Sequence, residues 1–65
     1  MYLIFDTYEL ADARNRKAIT DLNWPKGTTE KRWREIELEN GQWALDVGNG
    51  DGLTEDEIEQ TGNEI

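Results

Sequence analysis

Apolar positions fall into a few short blocks separated by polar or glycine-rich stretches. Tyr2-Leu3-Ile4-Phe5 is a continuous apolar run of strand length. Being apolar on both faces, it reads as an inner strand. Asp6 stands where a helix N-cap belongs and Glu9 follows as in a capping box. Phe5 and Leu10 take the positions of a hydrophobic staple. The helix is predicted from about Thr7 to Leu22. Tyr8, Ala11, Ala18, Ile19 and Leu22 share its apolar side, and Arg14, Lys17 and Asp21 lie opposite. Asn23-Trp24-Pro25-Lys26-Gly27 stops it, because the residue before a proline avoids helical backbone.

Between Lys31 and Val47 the pattern is that of a hairpin. Asn40-Gly41 is a strong signal for a two-residue type I′ turn. That turn sets Leu38 opposite Trp43, Ile36 opposite Leu45 and Arg34 opposite Val47 on a core side. Glu37 with Ala44, Glu35 with Asp46, and Trp33 with Gly48 form an acidic side. Gly48-Asn49-Gly50-Asp51-Gly52 reads as a flexible linker. A second helix follows, with Thr54 as cap, Glu57 completing the box, Leu53 and Ile58 as staple, and an end near Thr61-Gly62. The order is β-α-β-β-α. A right-handed crossover can place strand one beside strand three. The expected fold class is α+β: a three-stranded antiparallel sheet in the order 1-3-2, one long helix packed on a face, and a short C-terminal helix. Residues 1–62 form one small domain and residues 63–65 a frayed tail.

Size and charge sharpen this picture. A chain of 65 residues buries only roughly 60% of its unfolded surface, so it has little stability to spare. It has no cysteine and no histidine, which removes disulfides, thiolate zinc sites and the commonest general base. No apolar run approaches the ~20 residues of a membrane span, and Met1–Asp6 lacks the basic lead of a signal peptide. The net charge of -8 is polarised: residues 1–34 hold all seven bases and a net +2, residues 35–65 hold ten acids and no base. Such a chain repels nucleic acid and anionic membrane and attracts basic protein surfaces.

The candidate chemistry reduces to few motifs. Leu3-Ile4-Phe5-Asp6-Thr7 is similar to the first strand of DnaQ-like exonucleases, which carry an Asp-x-Glu metal pair there. Here the glutamate comes one place late, at Glu9, and the capping box accounts for both carboxylates. Asn49-Gly50-Asp51-Gly52-Leu53 resembles a calcium loop, but Val47 and Ile58 stand where ligands belong. No base follows Arg34, so these glycines are not a phosphate loop. Neither a cofactor nor a metal is expected. Three tryptophans are many for this length: Trp43 is assigned to the core, Trp24 to the helix end, and Trp33 to the acidic side as an interface anchor.

The overall pattern resembles small proteins of tailed bacteriophages that have no assigned function. The resemblance is carried by the Tyr-Leu-Ile-Phe strand, a polar Asp/Ala/Arg/Asn helix, a Gly-Thr-Thr loop, the hairpin ending Trp43-Ala44-Leu45, and an acidic Leu-Thr-Glu tail. It implies a location in the host cytoplasm or the virion and brings no catalytic residues. The reading is a non-enzymatic accessory protein that binds a partner with a basic surface, as an inhibitor or DNA mimic. The alternative is a minor virion structural or assembly protein, and a homo-oligomer fits either role. Neither nucleic acid nor membrane is an expected partner. The predicted contact residues are Trp33, Glu35, Glu37, Glu39, Asp46, Asp51, Glu55, Asp56 and Glu59.

Overall fold

The computed structural model describes residues 1–21 and 31–65. Five elements follow in order: β1 (Tyr2–Phe5), α1 (Tyr8–Asp21), β2 (Arg34–Glu37), β3 (Trp43–Asp46) and α2 (Glu55–Gln60). The strands form one antiparallel sheet in the order β1-β3-β2. The fold is α+β, with α1 over one sheet face and the short α2 at the C-terminal end. The proposed end of the first helix and the expected role of Trp24 lie outside the described residues. β3 is the inner strand, so β1, although apolar on both faces, is an edge. Its outer side is partly sealed by Gly62, whose amide and carbonyl exchange hydrogen bonds with Tyr2 at 3.0 and 2.7 Å.

The hairpin register differs by one residue from the expected one. β2 and β3 pair Glu37 with Trp43, Ile36 with Ala44, Glu35 with Leu45 and Arg34 with Asp46. Glu39, Asn40 and Gly41 form a three-residue loop. The Gly41 amide donates to Leu38 O at 3.1 Å, the Leu38 amide donates to Gln42 O at 2.9 Å, and Gly41 is left-handed at φ 87°. This is the three-residue alternative to the type I′ turn, and it needs the glycine one place later. Asn40 supports it by accepting from the Gln42 amide at 3.0 Å.

Because strand side chains alternate, the one-residue shift exchanges the two faces of β2. Trp33, expected on the outside, is 7% exposed in a core with Leu3, Ala11, Ala18, Leu45 and Val47. Met1, Phe5, Trp43 and Leu53 pack around that core. Ile36 and Leu38, expected inside with Trp43 and Leu45, lie on the opposite side. There Ile36 shares a row with Ala44 and Ile4. The shift places an indole, worth more buried area than either aliphatic chain, against the helix.

Local capping starts both helices, but at α1 the capping residue stands one place later than expected. Thr54 and Glu57 form the expected capping box at α2. At α1 the cap is Thr7, whose hydroxyl accepts from the Leu10 amide at 3.2 Å. Asp6 instead accepts from Gln42 Nε2 at 3.1 Å, which ties β1 to the hairpin end. The buried side of α1 is centred on Ala11, Asn15 and Ala18. Tyr8 is 40% exposed, its ring set edge-on to Trp43 with centroids 4.9 Å apart. Two alanines at the contact let the helix approach the sheet closely. Arg14 and Asn15 join the packed side because polar partners await them there.

Candidate functional site

Of the seven cations, Arg14, Arg16 and Lys31 form ion pairs among the described residues, and Lys17 and Arg34 are exposed outside any such pair. Arg14, expected on the outer side of its helix, is largely buried and makes a two-pronged pair with Glu57. Its Nε donates to Oε2 at 2.5 Å and its Nη2 to Oε1 at 3.0 Å. The Arg14 hydrogen bond holds the Glu57 carboxyl down at about 2, well below its usual 4.5, and the same contact raises the arginine. Arg14 Nη2 also donates to Gly52 O at 3.1 Å, and Arg32 Nη2 donates to Asp51 O at 3.1 Å. Both guanidinium carbons stand over the Trp33 ring, 5.2 and 5.0 Å from its centroid. These are cation–π distances.

The glycine segment is therefore an ordered turn, not a flexible linker. The Gly50 amide donates to Val47 O and the Leu53 amide to Gly50 O, at 3.0 and 3.1 Å. Gly52, at φ +86°, passes so close to Arg32 that a Cβ there would lie 2.6 Å from Nη1. Only glycine lets the chain turn left-handed against the two arginines.

A second polar centre lies at the start of β2. Asn15 is fully buried, and its amide clamps the Trp33 backbone: Oδ1 accepts from the Trp33 amide at 3.1 Å and Nδ2 donates to its carbonyl at 2.8 Å. Lys31 is shared between Asp12 and Glu35, and Asp12 also takes Arg16 at 2.8 Å. The Lys31 hydrogen bond lowers the Asp12 carboxyl, and the same bond raises the lysine.

The predicted contact residues separate accordingly. Trp33 is a core residue flanked by arginines and offers no exposed anchor. Glu35 faces the helix side, where its carboxylate meets Lys31 at 3.5 Å and Asn15 at 3.4 Å. Asp46 points to the other face, where it accepts from the Gly48 amide at 3.3 Å. The register thus divides the single acidic hairpin patch. Glu37 and Glu39 remain exposed at the hairpin end, and Asp51, Glu55, Asp56 and Glu59 remain exposed on the glycine turn and α2. None of these six is in an ion pair among the described residues.

Sequence reasoning missed Arg14, Asn15, Glu57 and Lys31 as the organising polar groups. No local signal marks them in that role: Lys31 and Glu35 stand four apart on chain entering a strand, where that spacing carries no pairing rule. Among the described residues, no group of three or more acidic side chains is placed to hold a metal ion, and no helix is long and apolar enough to cross a membrane. No family model, curated protein or solved structure matches this chain.

Proposed function

We propose that this chain is a non-catalytic binding module that meets a basic protein surface through its exposed carboxylates. The observation that carries this reading is how the fold distributes its charge. Arg14, Arg16 and Lys31 are taken up by Glu57, Asp12 and Glu35. Arg32 is held against Trp33 and the Asp51 carbonyl. Folding therefore pairs three bases with three acids. It leaves Glu37, Glu39, Asp51, Glu55, Asp56 and Glu59 exposed outside any ion pair among the described residues, against Lys17 and Arg34 on the basic side. A chain of net charge -8 thus presents a surface with an excess of carboxylates. A surface of this kind speeds encounter with cationic partners and selects against anionic ones. The two carboxyls held below their usual range, Glu57 and Asp12, are pinned ionised by cations, an arrangement suited to structure rather than to proton transfer.

The test uses Glu37→Lys/Glu39→Lys/Glu59→Lys, three exposed positions outside the first turn of α2. Reversal at Glu55 or Asp56 would also disturb the helix end, where negative charge is favourable. Wild type and variant are each immobilised and exposed to a cell extract, and the captured protein is then purified for kinetics. The expected result is capture by wild type alone, with an association rate that falls steeply as ionic strength rises. Equal capture by both proteins would refute the proposal.

A further inference from the structure

We infer that the outer edge of β2, unpaired among the described residues, accepts an extended segment of the partner as a fourth strand, read by a basic residue opposite Glu37 and an apolar residue opposite Ile36. This rests on the proposed function and names the partner's form. In an antiparallel pair, alternate residues direct their backbone groups to the neighbouring strand and away from it. The Leu38 amide bonds to Gln42 O in the hairpin. Ile36 and Arg34 therefore turn their N–H and C=O toward β3, and Trp33, Glu35 and Glu37 turn theirs outward. Asn15 confirms the phase, because its side-chain amide meets both outward groups of Trp33 at 2.8 and 3.1 Å. That amide stands in for the peptide of a next strand. It seals the edge at Trp33 and leaves the outward groups of Glu35 and Glu37 with no backbone partner among the described residues.

The side chains around those groups state what fits. Glu37 is exposed and carries no ion pair among the described residues, so a lysine or arginine directly opposite gains a partner. Glu35 is already shared with Lys31 and adds less. Ile36 continues the row of Ile4 and Ala44 on the other face, so an apolar residue opposite it extends that row. A second copy of this chain is a poor occupant. Two-fold pairing of β2 with itself through these groups sets Glu35 against Glu35, Glu35 against Glu37, or Glu37 against Glu37. Like charges placed directly opposite are destabilising.

The probe is a capped peptide with the core Lys-Val-Lys-Thr, beside the same peptide N-methylated at alternate residues so that its charge is kept and its bonding edge is blocked. Binding and amide exchange are followed by NMR on the full chain. The expected result is binding of the parent peptide with slowed exchange at the Glu35 and Glu37 amides, and affinity about tenfold lower after methylation, the worth of one to two hydrogen bonds. Glu37→Lys should weaken the parent peptide more than Glu59→Lys does. Equal binding of both peptides, without protection at Glu35 and Glu37, overturns the edge inference and leaves the acidic-surface reading standing. Failure of both peptides to bind even at low salt overturns both.

Discussion

Replacing Glu57 by glutamine removes a charge from the Arg14 pair while keeping the shape. Glutamine also serves at the third position of a capping box, so the contact to Thr54 is preserved. The Glu57 carboxyl is lowered from 4.5 to about 2, chiefly by the Arg14 hydrogen bond. At 1.36 kcal/mol per pKa unit that corresponds to a ceiling of about 3 kcal/mol. The Glu57 side chain is 21% exposed, so solvent screening brings the expected loss at neutral pH to about 1–2 kcal/mol. That is a large share of the stability of so small a domain.

The pH dependence follows from the direction of the shift. A carboxyl lowered in the folded state stabilises fully above its unfolded value. The contribution is then lost as pH falls from 4.5 toward about 2. Urea unfolding of wild type and Glu57→Gln, followed by tryptophan fluorescence, should show the difference at pH 7, a shrinking difference between pH 4.5 and 2, and near convergence below it. All other titrating groups are common to both proteins and cancel. A penalty of equal size at pH 7 and pH 2, or none at pH 7, would refute the assignment of Glu57 as the charge that locks α2 to α1.

Asn15→Leu should cost about 2–5 kcal/mol in chemical unfolding, because two buried backbone groups of Trp33 lose their partners; a loss under 1 kcal/mol would deny Asn15 its clamping role. Gly41→Ala meets open space, so its cost is the left-handed backbone alone, about 1–2 kcal/mol. Gly52→Ala adds a collision with Arg32 and should lower the melting temperature further than Gly41→Ala; the reverse order would contradict the packed turn. Trp33→Ala should cost about 3–5 kcal/mol, whereas Ile36→Thr on the opposite face should cost about 1 kcal/mol or less. Comparable losses at the two positions would argue for the other hairpin register.

Much of the architecture follows from short-range pattern. The apolar run at Tyr2–Phe5, the hairpin around Asn40-Gly41 and the Thr54–Glu57 box announce their elements through neighbours at most four positions away. A right-handed crossover is compatible with the order β1-β3-β2, and the pairing of β1 with β3 selects it. Register is a different kind of question. Both alternations of β2 carry large apolar side chains, Trp33 on one and Ile36 with Leu38 on the other, and Asn40-Gly41 suits a loop of two residues or of three. The choice rests on contacts made across the chain: Trp33 against α1 and its arginines, Asn15 on the Trp33 backbone, and Lys31 beside Glu35. Local sequence separates none of these from a solvated charge or a helix-surface amide. A polar residue becomes buried only when a distant partner satisfies it, and that partner is supplied by the tertiary structure.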